Sequence, residues 1–454
     1  MLLKAEFVEQ TKQLLGPESE VLFNCIDEGK APISIRYNPD KPTKRHLNLL
    51  QPVPWNEQGV YLTDRPLFTA DPLFHAGAYY VQEASSMFLA EAVKQHVDLT
   101  KAVVALDLCA APGGKSTLLS SLLKDSDVLI SNEINKSRAD ILTENIQKWG
   151  KPNVVVTRNS PSDFNELPEL FDLIVVDAPC SGEGMFRKTP HAIEEWSPEN
   201  VELCTSRQRE ILESIWPCLK PGGVLIYSTC TFNLKENEEQ IAWMIEELGA
   251  ENVPLDICTF PGIQPGFGEE ISAARFFPHK SVGEGLFMSV VQKADDQPQR
   301  IRIPKNKISE LDKKSVPMVS GFLKANRWTY FEHRSQVFAA LPAMSEVIAR
   351  ISTSLYPLHF GVVLGELKGK DLIPAPGLAF STQLNSEALQ KAALTKDQAL
   401  ALLSKETPSI EAPSGWVLCT YDNLGLVWIK SLNNRINNYY PKEWRIRSDY
   451  RNFD

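Results

Sequence analysis

Two apolar runs in this sequence each end on groups capable of covalent chemistry. Residues 171–176 lead into Asp177, Ala178, Pro179 and Cys180, and residues 223–227 lead into Ser228, Thr229 and Cys230. Both runs are rich in Val, Leu and Ile without strict alternation, the pattern of parallel strands covered on both faces. Ligands in such a sheet sit outside the carboxyl ends of its strands. An acid and two thiols are therefore expected to converge at one edge. Thiol chemistry needs a fraction of thiolate, and Lys188 is a cation close by in sequence that can support it; a solvated loop lysine is the alternative.

A third stretch, VVALDLCAAPGGK at residues 103–115, belongs at the same edge. Its apolar run ends at Asp107, and Cys109, Ala110, Ala111, Pro112, Gly113 and Gly114 lead into a helix beginning near Lys115. Strand, tight loop and helix N-terminus expose backbone N–H groups and a small field favourable to an anion. Neither GxGxxG nor GxxxxGK[ST] occurs, which moves the reading from a dinucleotide or ATP to a carboxylate-bearing cofactor such as S-adenosylmethionine. A purely structural turn is the alternative. Glu133 closes the next strand, where an acid suits the two hydroxyls of a ribose. Asn159, beyond the third strand, offers an amide to an adenine ring or serves as a turn residue before Ser160 and Pro161.

The elements that must position these groups alternate as a doubly wound α/β sheet requires. Strands are expected at 103–107, 127–132, 153–157, 171–177 and 223–228, with a closing strand at 286–292. Helices are expected at 115–124, 136–148, 198–218 and 235–248, after a lead-in helix at 82–97. At 454 residues more than one domain is expected. Residues 1–73 read as a small α+β domain, 74–295 as the catalytic module, 296–315 as a linker, 316–380 as an intermediate piece and 381–454 as a β-rich domain. In the last, apolar and polar residues alternate about a turn at 422–425. Tyr79 and Tyr80 read as interdomain packing, and Arg275, Phe276, Phe277 and His279 as rim candidates.

An apolar fraction of 43% and a charged fraction of 23% describe an ordinary soluble protein. The first residues lack a secretory pattern and no membrane span is evident, so a cytoplasmic location is expected. Eight cysteines form no CxxC pair, which argues against zinc and against a disulfide scaffold; no metal is expected. A net charge of -10 weighs against tight, unspecific binding of nucleic acid. Local basic groups remain: Arg435, Lys442, Arg445, Arg447 and Arg451 interleave with Tyr439, Tyr440 and Trp444. That mixture suits RNA, and equally an ordinary solvated terminus.

Three segments, DLCAAPGGK at 107–115, DAPCSGEGMFRK at 177–188 and STCTFNLKENE at 228–238, resemble the signatures of the NOL1/NOP2/Sun family of RNA cytosine-5 methyltransferases. The whole chain is similar to its bacterial RsmF type, which acts on 16S rRNA and carries a C-terminal domain resembling the RNA-binding PUA fold. The resemblance implies a Rossmann-like core between a small N-terminal RNA-binding domain and that PUA-like region. It also implies that Cys109 to Lys115, Glu133, Asn159 and Asp177 bind S-adenosylmethionine. Many relatives hold an aspartate at the place of Asn159.

By the same resemblance Cys230 is the nucleophile, Cys180 assists release, Asp177 handles protons at the cytosine edge and Lys188 lies near the substrate. Addition of a thiolate at C6 breaks the aromaticity and makes C5 nucleophilic enough to accept a methyl group. The target base must be unpaired or flipped out. The expected function is methylation of cytosine C5 in 16S rRNA near the decoding region, within the small ribosomal subunit and without an obligate protein partner. A tRNA cytosine-5 methyltransferase and a noncatalytic RNA-binding assembly protein are the alternatives.

Overall fold

The computed structural model describes residues 3–44, 47–268, 270–294, 306–432 and 435–447. Five parallel strands form its centre: Val104–Asp107, Val128–Asn132, Val154–Thr157, Phe171–Asp177 and Leu219–Thr229. Their Val, Leu and Ile side chains are buried on both faces, which is why none alternates. Leu286–Gln292 runs antiparallel to Leu219–Thr229, followed outward by Ala273–Phe276 and Gln264–Pro265. The closing strand expected at 286–292 is thus an inner one. At the opposite edge, Pro357–Phe360 pairs antiparallel with Val154–Thr157. The piece expected to stand between catalytic and terminal domains therefore lends a strand to the catalytic sheet.

Register fixes the functional edge. Asp107 pairs with Val175, and Asp177 with Ser228, so the ends of three adjacent strands lie together. The helix Lys136–Trp149 starts where the Asn135 side chain accepts from the Arg138 N–H, and stops at Gly150, whose φ is 89°. Pro198–Ile215 starts on a Ser197 cap and ends before the expected residue 218, since Pro217 has no N–H for a further α-turn. The lead-in segment is regular only over Leu89–His96, after a tighter turn at Ser85–Phe88. The helix expected from 235 starts at Glu238, because Glu236 and Asn237 are engaged in the loop that precedes it.

The flanking regions are joined to this core rather than strung beside it. Helices Ala5–Leu15 and Ser19–Asp27 bury Phe7, Leu22 and Ile26 against Phe186, Trp196 and Phe232. A four-stranded sheet, ordered Leu49–Val53, Asn56–Leu62, Ile33–Tyr37, Tyr79–Val81, shares an apolar cluster with Leu400, Val417 and Ile429 near the C-terminus. Within the segment expected as a linker, Ser309–Glu310 pairs with Thr329–His333 while Ile308 and Leu311 are buried; residues 296–305 lie outside the described residues. The last sheet contains the hairpin Gly415–Tyr421 and Leu424–Leu432. Its turn is Asp422 and Asn423, both at positive φ, as a two-residue hairpin loop demands.

Candidate functional site

The ends of the central strands enclose a cavity of about 700 Å³. Leu108, Cys109, Ala111, Glu133, Arg138, Pro161 and Ser162 line one part; Asp177, Pro179, Cys180, Arg207 and Cys230 line another. Of the loop expected to hold the cofactor, Cys109 and Ala111 line the cavity, whereas Ala110, Pro112, Gly113, Gly114 and Lys115 are not among its lining residues. Gly113 has φ of 118° at the start of the helix Gly114–Leu122, a conformation that side chains rarely adopt. The loop is held from several directions: the Ala110 N–H donates to the Asn132 carbonyl, Arg138 Nη2 to the Ala111 carbonyl and Asn145 Nδ2 to the Pro112 carbonyl. The peptide between Ala111 and Pro112 is cis. Arg36, fully buried, reaches from the N-terminal sheet to donate to Thr117 Oγ1 at 2.6 Å and to the Gly114 carbonyl.

Charges are arranged along the cavity. Lys115 Nζ lies 2.8 Å from Asp177 Oδ2, while Asp177 Oδ1 accepts from Ser228 Oγ at 2.7 Å. Burial alone would depress the Lys115 ammonium; Asp177 reverses that and holds it above its usual range. Below the loop, Asp107 accepts from Ser116 Oγ at 2.6 Å through one oxygen, and its other oxygen is buried with no partner among the described residues. Burial pushes that carboxyl up to about 7. Glu133 accepts from the Asn135 N–H at 2.9 Å and lies 3.4 Å from Arg138. Burial first, then the neighbouring carboxylates, pushes the Cys109 thiol well up, so Cys109 is a neutral wall residue.

Cys180 Sγ and Cys230 Sγ are 3.1 Å apart. Hydrogen bonding to Cys230, then burial, raises the Cys180 thiol well above its usual range. Both cysteine loops rest on buried carboxylates that sequence reasoning passed over. Glu236 accepts from the Ser181 N–H at 2.9 Å, from Ser181 Oγ, from Gln208 Nε2 at 2.9 Å and from Asn233 Nδ2 at 2.6 Å. Glu183 accepts from the N–H groups of Phe232 and Asn233 at 2.8 and 3.0 Å, and from Trp196 Nε1 at 3.0 Å. Both glutamates lie inside the segments that carried the family resemblance. Residue type alone marks them as surface acids, and only the density of Ser, Thr and Asn around them hinted at burial.

Three expectations are corrected. Asn159 does not line the cavity: its amide donates to Asp163 Oδ2 at 2.9 Å and its carbonyl oxygen accepts from the Tyr356 N–H at 2.8 Å, so both ends are spent within the protein. Lys188 is exposed and is not among the cavity residues, because the turn at Glu183–Met185 carries it outward. Arg275 is no rim residue; it is 1% exposed and donates to Glu238 and to the Phe232 carbonyl, with Phe276, Phe277 and the His279 side chain also buried. In the C-terminal tail, Tyr440 is buried, Tyr439 packs on Trp416 and Trp444 lies under Lys148, which leaves Arg435, Lys442, Arg445 and Arg447 exposed. Arg451 lies outside the described residues. Tyr79 donates to Asp71, and Tyr80 meets Asn145 behind the glycine loop.

Sheet order and site together define a Rossmann-like methyltransferase core between a small N-terminal domain and a C-terminal PUA-like domain. Family models match all three parts: 16S rRNA methyltransferase RsmB/F over residues 95–292, the N-terminal domain of 16S rRNA methyltransferase RsmF over 3–84, and the methyltransferase RsmF PUA domain over 390–446. The chain belongs to the RsmB/F family of 16S rRNA methyltransferases.

Relatives named ribosomal RNA small subunit methyltransferase F include one from Aliivibrio fischeri, 38% identical over 54% of this chain and 52% of its own length. Another, from Pectobacterium carotovorum, is 29% identical over 97% of this chain and 95% of its own. The chain thus spans about half of the first relative and nearly all of the second. Among solved structures, a methyltransferase homolog protein from Pyrococcus horikoshii is 29% identical, with a TM-score of 0.54 over 64% of this chain and 95% of that one. NSun6 from the same organism, at 23% identity and a TM-score of 0.55 over 64% and 99%, shares the fold. Among the described residues no group of three or more His, Cys, Asp or Glu could hold a metal ion, and no helix is long and apolar enough to cross a membrane.

Proposed function

We propose that this protein transfers a methyl group from S-adenosylmethionine to C5 of a cytosine in 16S rRNA, near the decoding region of the small ribosomal subunit, through a covalent Cys230–C6 adduct. The observation that carries the reading is a pair of thiols 3.1 Å apart on the wall of a cavity that Asp177, paired with Lys115, also lines. The residues fit the cofactor. Glu133 offers a carboxylate for a ribose, Cys109 and Ala111 bring the loop before a helix N-terminus to the cavity wall, and Asp107 keeps an unpartnered buried oxygen close by in that segment. When bound, S-adenosylmethionine supplies an electrophilic sulfonium methyl.

Cys230 acts first. Its thiolate adds to C6 of the flipped cytosine, and the displaced ring electrons collect at C5 and N3. Asp177, fixed by Lys115 and Ser228, faces the cavity where the base edge would lie and can exchange a proton there. Cys180 keeps its proton while it hydrogen-bonds the neighbouring sulfur. Once the Cys230 sulfur is bonded to carbon, its charge no longer opposes ionisation of Cys180. Cys180 can then release its proton to water; once C5 carries the methyl group, the Cys180 thiolate takes the C5 proton, and the returning electrons expel the Cys230 thiolate and restore the ring.

Methylation of small-subunit rRNA and of tRNA by the full chain tests the reading. Cys230→Ala is expected to abolish transfer, by at least about 10³-fold. Cys180→Ala is expected to form the adduct and hold it, visible as a protein–RNA band that resists denaturation. Full turnover by Cys230→Ala would exclude the nucleophile, and preferential modification of tRNA would exclude the proposed substrate.

A further inference from the structure

Glu183 and Glu236 are both fully buried, yet neither pairs with a cation among the described residues. A buried carboxylate is costly unless hydrogen bonds surround it, and these two are surrounded. Their arrangement is reciprocal. Glu236 lies in the chain that follows Cys230 but grips the residue after Cys180, through the Ser181 N–H and hydroxyl. Glu183 lies in the chain that follows Cys180 but grips the residues after Cys230, through the N–H groups of Phe232 and Asn233. Gln208 links the first grip to the Pro179 carbonyl, and Asn233 Nδ2 touches both carboxylates.

We infer that Glu183 and Glu236 are positioning residues that set the separation of the two thiols, each holding the loop of the opposite cysteine. The consequence is a division of labour. Glu236 holds Cys180 in place for release, and Glu183 holds Cys230 in place for attack. The N-terminal helix enters the second grip, since Gln10 Nε2 donates to Glu183 Oε1 at 3.1 Å and Phe7 packs edge-on against Phe186 and Trp196. Little slack exists elsewhere. The Gly184 N–H donates to the Cys230 carbonyl at 2.9 Å, and a Cβ at Gly184 would stand 2.9 Å from that same oxygen.

The inference rests on the two-thiol mechanism, so one readout must be independent of it. Treating the full-length protein with diamide, which removes one hydrogen from each thiol as the sulfurs join, reports by mass spectrometry how readily Cys180 and Cys230 meet. Glu236→Gln and Glu183→Gln are each expected to slow that closure at least five-fold while shifting the Kd for S-adenosylmethionine less than two-fold. With RNA the two variants should diverge. Glu236→Gln accumulates the covalent adduct, and Glu183→Gln forms it at least ten-fold more slowly.

Ser181→Ala, which removes one donor to Glu236 while keeping the carboxylate, should show a weaker form of the Glu236→Gln pattern and serves if that variant does not fold. Closure rates within two-fold of the unsubstituted protein would overturn the inference, as would identical adduct behaviour in the two glutamine variants. Absence of any methylation or adduct in the unsubstituted protein would instead overturn the mechanism, leaving the closure rates to judge the positioning.

Discussion

At the scale of single residues, the site works by placing groups where burial changes their chemistry. Asp107 is the clearest case. Its carboxyl has one hydrogen bond and one buried oxygen without a partner among the described residues, and burial raises it from 3.8 to about 7. A raised acid is protonated in the folded state over a range where the unfolded chain has already ionised. Stability from this group is therefore undiminished below pH 4, falls as pH rises from about 4 to about 7, and is level above that. Asp107→Asn mimics the neutral acid and keeps an acceptor for Ser116. Urea unfolding at pH 5, 6, 7 and 8 should show the variant gaining on the unsubstituted protein up to about pH 7, by on the order of 1–3 kcal/mol. A difference that stays constant with pH would show that Asp107 is ionised in the fold. Lys115 illustrates the opposite balance, where a partner outweighs burial.

At the scale of elements, the five parallel strands and the two cysteine-bearing ends were legible because each signal is local. A Val/Leu/Ile run bounded by Gly, Pro or Asp declares a buried strand, and doubly wound topology brings strand ends together. The edge strand Pro357–Phe360 was not legible: it is short, begins with Pro and carries His359, and its partner lies some two hundred residues earlier. Lys188 misled because nearness in sequence is not nearness in space, and Arg275 because a guanidinium buried by a carboxylate looks like any surface arginine. The edge strand has a consequence for the cofactor. Tyr356, just before it, donates its N–H to Asn159, whose loop carries Pro161 and Ser162 to the cavity wall. Asn159→Ala should raise the Kd for S-adenosylmethionine about five-fold by calorimetry, the worth of one hydrogen bond. Tyr356→Pro, which lacks the N–H, should do the same. Unaltered affinity in Tyr356→Pro with loss in Asn159→Ala would mean that Asn159 turns to meet the ligand directly.

At the scale of the whole molecule, the sequence divides into pieces that the apolar cores do not respect. One cluster joins Ile35, Leu62, Phe68 and Tyr79 to Leu394, Leu400, Val417 and Ile429, so the first and last regions are two halves of one interior. Another joins Val155 and Ile174 of the catalytic sheet to Phe338 and Phe360. Asn38 and Lys41 extend the first region's hold, donating to carbonyls of Gly77, Trp149 and Lys148 in the catalytic part. A linear arrangement would let the C-terminal residues be removed with loss of RNA affinity alone. Shared interiors imply otherwise, because each large side chain uncovered costs roughly 1.5–3 kcal/mol and a whole domain is stable by only about 5–15. Deleting residues 390–454 should therefore lower the melting temperature by about 10 °C or more, increase binding of a hydrophobic dye, and weaken S-adenosylmethionine and RNA binding together. The full chain should unfold in one calorimetric transition. Two well-separated transitions, or a truncated protein that melts within about 2 °C of the full chain and keeps its cofactor affinity, would show that the terminal regions are independent after all.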